Sequence, residues 1–501
     1  MSTTDFFHGV QVVEITNGPR SIRTLASSTI GLVGTAPNAQ IAAAASLIIG
    51  TTGAHNALQF TANQAGAAGN NISLQIRVPS GANAPFSISV NGNAITVFLA
   101  TGATAGVATT TATALIAALA ANAQANALIT AADYNGSTGA GVVPATVQTF
   151  LSGGIDAIAP INVPTLITSG AQIGLFGTTG TLPAMLKAIY DNAEASVVVV
   201  RVTPGSDDAG TQAAIIGGDD GNGNYTGLKA LLGAEHATGL IPRIIVAAFS
   251  NVLAVAQEML VEATKLKAIA IISGPNTTDS DAVTYANNFG DARLYMVDPQ
   301  VQVYDDNLQE VVSAPADAYV AGVIVANDAE NGFWWSPSNR EILNIVGTAR
   351  PVDFSFNDPN CRANYLNSFN IATIIRQNGF RLWGNRTLSL DPAFAFLSVR
   401  RTADLIEDSV QRAHLWAVDR NISKAYFQEV TASVQGYLDS LKALGAILDG
   451  SIIADPDLNT PANLAAGKVY FDISFTPPAP AEQVTFRVFP TSTTGFANIL
   501  S

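Results

Sequence analysis

The sequence holds one cysteine, Cys361, and four histidines (His8, His55, His236 and His414) scattered over four regions. One thiol forbids an intramolecular disulfide. Histidines so spread, with no H-E-x-x-H and no C-x-x-C, leave the usual zinc arrangements without ligands. His414, beside Trp416 on an expected helix, reads as a packing or surface residue. Charge is scarce too: 12% of residues are charged, half of the roughly 25% that is usual. Runs of Lys and Arg are missing, and 24 Lys+Arg against 38 Asp+Glu leave a net charge of −14. Gripping phosphates requires clustered basic residues, so no direct nucleic-acid binding is expected. The longest apolar stretches, such as 41–49, fall well short of the roughly 20 residues a membrane span needs. Met1–Gly9 lacks the basic and apolar parts of a signal peptide. Neither membrane insertion nor signal-directed secretion is expected.

The chemistry-bearing motifs are missing as well. There is no G-x-x-x-x-G-K-[ST] and no G-x-S-x-G, which excludes P-loop hydrolysis and the nucleophile elbow. Asp219-Asp220-Gly221-Asn222-Gly223-Asn224 begins like a calcium loop, but Tyr225 stands where glycine is needed and Leu231 where glutamate is. A surface turn before a helix over 226–236 is the better reading. Asp353, Asp358 and Asp391 lie near Arg350, Arg362 and Arg386 in sequence, which suggests salt bridges at an interface. No cofactor and no enzymatic activity are expected.

What is present is length, apolar residues (48%) and contrast of texture. At 501 residues the chain exceeds the roughly 250–300 residues at which single cores stop growing. Sparse charge on so long a chain fits a subunit that buries much of its exterior against others. Four regions separate. Residues 1–37 hold strand-like runs at Phe7–Ile15 and Thr29–Thr35. Residues 38–159 are rich in Ala, Gly, Thr and Asn, with only Arg77 and Asp133 charged between 40 and 155. Strands are expected there at 58–62, 72–78, 86–90 and 94–99, with a hairpin turn at Asn91-Gly92 and a helix at 109–125. Residues 160–328 alternate apolar strands (196–202, 243–249, 268–273, 293–297) with helices (182–195, 226–236, 252–267), which implies an α/β layer. Residues 329–501 carry amphipathic helices at 402–421 and 429–448. Glu407, Asp408, Gln411 and Arg412 are turned away from the first helix's apolar face, with Asp408 and Arg412 as an i,i+4 pair. Two tail strands follow: one shows Val469, Phe471, Ile473 and Phe475 on one face, and the other, after the Pro477–Pro480 break, carries Val484, Phe486 and Val488.

Several stretches resemble the tail-sheath proteins of contractile phages and related injection machines. The resemblance begins at Phe7-His8-Gly9-Val10 and Gly31–Pro37. It includes Pro242–Val246 and resumes at Gly332–Pro337 and Asn339–Ile342. It is most specific across Leu366–Thr373 (with Asn367), Gly379–Leu388 (with Trp383, Gly384, Arg386 and Thr387) and Ser398–Arg401 (with Arg400 and Arg401). It covers the chain apart from the 38–159 insert, which looks like a β-rich decoration module. The fold it implies is a multidomain α+β and α/β protein: a conserved sheath body formed from both chain ends, an α/β middle domain, and a small β-rich domain inserted on the outside. The function it implies is a homo-oligomeric helical sheath that surrounds an inner tail-tube protein and meets baseplate and tail terminator proteins. Such a sheath assembles in the host cytoplasm, becomes part of the virion tail or particle, and contracts to drive the tube through a target envelope.

In that family both chain ends typically complete β-sheets with neighbours. Val10, Val12, Val13 and Ile15 are thus candidates for an amino-terminal arm, and Val469, Phe471, Ile473, Phe475, Val484, Phe486 and Val488 for a carboxy-terminal one. The helical span 402–448 is the candidate tube-facing surface. Residues alone leave open that both ends pair within their own subunit. Two other readings stand beside the sheath: a non-contractile virion surface or capsid-decorating protein, and an α/β enzyme built on 161–328.

Overall fold

A computed structural model describes residues 22–306 and 308–490. The apolar runs of the 160–328 region form buried strands: Val197–Val202, Ile244–Ala247, Ile269–Ser273 and Leu294–Val297. Branched aliphatics that fill both faces of a strand need helices on both sides, and they have them. Leu182–Tyr190 packs with Asp317–Asn331 on one face, and Leu253–Leu266 covers the other. The sheet has six strands, in the order Leu294–Val297, Ile269–Ser273, Ile244–Ala247, Ile30–Thr35, Val197–Val202 and Thr165–Ile167. Only the last is antiparallel to its neighbour.

Its centre corrects an expectation. Ile30–Thr35 does not belong with a body made of chain ends. It lies parallel between two middle-region strands, with Ile30 opposite both Val197 and Ile244. The division at 328 likewise matches no gap in packing, because the sheet's core continues through Leu366, Ile371, Ile374, Leu382 and Leu397.

The 38–159 segment closes a core of its own, running from Ala45 to Leu151 and centred on Phe60, Leu74 and Leu115. It holds a three-stranded and a four-stranded sheet, and the expected strands fall within a residue or so of their places. The hairpin turn is displaced by one position. Asn91 pairs with Ala94, so Gly92 and Asn93 make the turn, with Gly92 at φ +56°. The expected 109–125 helix is two. Ala112–Ala121 stops at Asn122, whose side chain accepts from Ala125 N at 3.0 Å and starts Ala123–Leu128. Chain entry and exit lie together: Ile158 N donates to Gln40 O at 3.2 Å. The buried Arg201 of the main sheet donates to Ala159 O (2.6 Å) and Ala36 O (3.2 Å), bracketing both ends.

Asp219–Asn224 is a turn folded on itself. Asp220 accepts from Asn222 N, Asn224 N and Asn224 Nδ2 at 2.8–3.0 Å, which holds its carboxyl below the usual range. The 226–236 helix opens as a 3₁₀ stretch, Gly227–Gly233, before Ala234–Thr238. No group of potential metal ligands occurs among the described residues.

Candidate functional site: an open two-stranded sheet and the cleft beside it

The carboxy-terminal body is built on two helices, Leu397–Ala413 and Lys424–Ala443. The first starts five residues before the expected Thr402, because its buried side is polar as well as apolar. Arg401, Thr402, Asp404 and Asp408 are buried along it with Leu405 and Ile406. Asp408 was expected to face outward. Instead it accepts from Arg243, just ahead of the Ile244–Ala247 strand, while keeping the expected pair with Arg412 at 3.1 Å. Arg293, just ahead of Leu294–Val297, grips Asp404 bidentately at 2.6 and 2.7 Å. Arg401 grips Asp328 at the end of the Asp317–Asn331 helix and reaches Ser27 O at 3.1 Å. The helix thus crosses beneath the amino-terminal ends of the parallel strands, fixed by buried ion pairs. Burial pushes the Asp404 carboxyl up, against the pull of Arg293 and Arg400. Arg400 joins the same seam, bonding Asp404 at 2.7 Å and stacking over Phe394.

The arginines expected beside Asp353, Asp358 and Asp391 choose other partners. Arg350 pairs with Asp279 and Asp298, Arg362 with Asp279, and Arg386 with Glu482. Nearness in sequence lost to carboxylates that the fold had already buried or aimed.

The remaining motif residues build a hairpin, Thr373–Arg376 with Phe380–Trp383, and its exit. Asn367 Nδ2 donates to Ile371 O (2.9 Å) and Trp383 O (3.1 Å), tying helix to hairpin. Gly384 sits at φ +136°, and a Cβ there would lie 2.8 Å from Ala372 Cα, so the chain can cross at this point only as glycine. Thr387, fully buried, donates to Ala395 O from both its backbone N and its hydroxyl. Trp383, Gly384 and Arg386 line a cleft of about 810 Å³ with Trp334, Trp335 and Asn385.

Against this body lies a sheet of two strands, Asp449–Ala454 and Phe471–Thr476, antiparallel with Ile452 opposite Ile473. Phe471, Ile473 and Phe475 share one face, as their alternation predicts, but instead of leaving as an arm they pair within their own subunit and turn toward its core of Ile406, Val434, Leu438 and Leu441, where Ile22 and Leu25 from the other end of the chain also pack. Val469, half-buried, precedes the strand. Among the described residues, neither outer edge of this sheet pairs with a further strand; the Asp449–Ala454 edge is capped by Gln435, which donates to Gly450 O at 3.1 Å and accepts from Ile452 N at 3.3 Å, and the Phe471–Thr476 edge is open. The second tail strand is not formed. Pro477, Pro478 and Pro480 withhold three backbone donors, and Val484, Phe486 and Val488 follow in exposed chain with no strand partner. Val10, Val12, Val13 and Ile15 lie outside the described residues. His414 is half-buried, Nδ1 lying 2.8 Å from Val410 O.

Comparison with known proteins gives this geometry a context. The family model of the phage tail sheath protein central domain matches residues 223–388, and that of the phage tail sheath C-terminal domain matches 389–491. A putative prophage major tail sheath protein of Pseudomonas aeruginosa is 48% identical over 337 residues, covering 67% of this chain and 87% of that protein. Since 337 residues make 87% of it, that relative is about 390 residues long, some 110 shorter than this chain. The tail sheath protein of Escherichia phage P2 is 35% identical over 66% of this chain and 85% of its own. That of Burkholderia phage BcepMu, 29% identical, matches over 97% of both. Among solved structures, the contracted helical sheath of the anti-feeding prophage shares the fold at a TM-score of 0.54 and 20% identity, covering 66% of this chain and 89% of that one.

Proposed function

From the premise that this chain belongs to the phage tail-sheath family, as a structural subunit of a contractile sheath, we propose that its two ends link each subunit to its neighbours in a helical lattice around an inner tube. One observation carries the proposal: a two-stranded sheet whose Phe471–Thr476 edge is open among the described residues stands on the body where the two chain ends meet. Free sheet edges are templates for a strand from another chain, which supplies many backbone hydrogen bonds and a register set by alternate side chains. Val10–Ile15 of one copy and Val484–Val488 of another are the strands we assign to this sheet. Heterologous contacts that do not close into a ring generate helices. Arms joined through backbone bonds can hinge while their subunits turn as rigid bodies.

The domain plan follows the same reading. The carboxy-terminal body, including the 402–448 span, faces the tube, and the 38–159 insert points outward. The lattice is assembled in the host cytoplasm between baseplate and terminator. Contraction draws on a difference in packing between two lattices. If 100 Å² more apolar surface per subunit is buried on contraction, about 2.5 kcal/mol per subunit is released. Exposed Leu415, Val418, Leu444, Leu448 and Ile453 on the body offer such surface. Summed over many copies, this drives a tube through an envelope without nucleotide hydrolysis.

Deleting Met1–Gly18 tests the proposal by negative-stain microscopy. The expected product is a folded protein that forms no striated cylinders; a deletant that still builds sheaths able to contract would sink it.

A further inference from the structure

The arm reading says that the tail engages a neighbour but leaves open what aims it. Beyond Thr476 the chain runs through Pro477, Pro478 and Pro480 to Glu482, and residues 478–482 form one wall of the cleft. Proline-rich chain is extended and stiff, advancing about 3.1 Å per residue, so 477–482 is a strut of about 15 Å. At its far end Glu482 receives Arg386 bidentately, Nε to Oε1 at 2.7 Å and Nη2 to Oε2 at 2.6 Å. Arg386 is held in turn over the Phe396 ring, 5.0 Å from its centroid. Past Glu482 every described residue is exposed, and Val484, Phe486, Val488 and Phe489 touch no core.

We propose that Arg386 and Glu482 form a latch that fixes the far end of the proline strut and so presets the direction in which residues 483–490 leave the subunit to meet a second copy. The inference rests on the arm reading above and adds the residue that positions the arm. The physical gain is preorganisation. A strand already pointed at its partner loses less freedom on pairing than one swinging freely from Thr476. Both side chains are more than a third exposed, so the latch is sensitive to salt. It can also let go without disturbing the fold. Arg386 is a positioning residue that acts through Glu482; it need not touch the neighbour at all.

Charge reversal in the full-length protein tests this. Glu482→Arg and Arg386→Glu are each expected to lower the fraction of subunits found in sheaths by about fivefold, the upper range for one exposed ion pair. The double swap R386E/E482R is expected to recover most of that loss, and the wild-type fraction should fall as sodium chloride is raised. Melting temperatures should stay at the wild-type value, Glu482→Gln serving as the variant that removes charge without touching the Phe396 contact. The latch is overturned if the single reversals assemble like wild type, or if the double swap assembles no better than either single. Removal of residues 483–501 separates it from the arm reading. Sheaths that form normally without those residues refute the carboxy-terminal arm itself, and a Glu482→Arg defect persisting in that truncated chain shows that the pair acts elsewhere and refutes the latch.

Discussion

Two parts of this molecule hold themselves together by opposite means. The 38–159 insert is closed by aliphatic packing and backbone bonds around Phe60, Leu74 and Leu115, and it carries two charged side chains between residues 40 and 155. The junction of the carboxy-terminal body with the main sheet spends its arginines on buried pairs: Arg243 with Asp408, Arg293 with Asp404, Arg401 with Asp328. Apolar contacts tolerate a range of mutual angles, whereas a bidentate arginine–carboxylate pair fixes both direction and distance. On the proposed reading, a sheath subunit that turns as a rigid body needs its sheet and its tail-bearing body locked in one orientation. An insert that points outward, as proposed, needs only to stay folded. The difference in chemistry follows that difference in demand.

The seam is where the comparison breaks most visibly. Arg401 and Asp328 are both nearly excluded from solvent, with side chains 5% and 3% exposed. Arg401→Ala leaves a buried carboxylate without its partner, which costs about 3–5 kcal/mol. Calorimetry should show the main transition lowered by several degrees while the insert's own unfolding stays in place. Arg401→Met with Asp328→Leu should recover most of the loss, since an apolar pair of similar volume needs no desolvation. A seam held mainly by its apolar contacts would leave the single variant at wild-type stability.

These same pairs mark the limit of what the sequence discloses. Val197–Val202 is legible because an unbroken aliphatic run admits few environments. The Phe471, Ile473 and Phe475 alternation is legible because a strand has period two. Asp408 misleads because its partner, Arg243, lies 165 residues away, and a carboxylate on a helix is most often solvated. Ile30–Thr35 reads as part of a body made of chain ends because its true neighbours in the sheet, 197–202 and 244–247, lie far along the chain. Of the site, the β-forming tail and the family motif can be read from residues, but not that the prolines stop the second strand or that Arg386 reaches 96 positions to Glu482.

A middle-sized effect separates the two regions by pH. Asp317, at the start of the Asp317–Asn331 helix, is wholly buried and bonded to Ser250 Oγ and Ala318 N. Burial pushes its carboxyl up to about 6 from 3.8. A carboxyl raised in the folded state binds its proton more tightly there than in the unfolded chain. Its contribution is therefore fully present below the unfolded value and is lost as pH rises through about 6. Asp317→Asn should remove a slope approaching 1.4 kcal/mol per pH unit between about pH 4 and 6. The check is chemical denaturation of variant and wild type across that window. Parallel curves would show that Asp317 stays charged throughout.

The smallest effect on the body should come from the largest excision. Because Ile158 N bonds Gln40 O, and Arg201 holds both Ala36 O and Ala159 O, the two strands of the neck are already side by side before the insert begins. A short glycine linker joining 40 to 158 asks the main sheet to move nothing. The shorter Pseudomonas relative, lacking about as many residues as this segment supplies, is consistent with a body complete without it. The excised protein should melt within about 3 °C of the wild-type body, a shift worth about 1 kcal/mol in a domain of this size. Arg201→Met in that shortened chain should then cost more than the excision did, because it leaves the Ala36 and Ala159 carbonyls without their donor. If the excision itself proves the costlier change, the insert braces the sheet through more than its neck, and the two regions are less independent than their cores suggest.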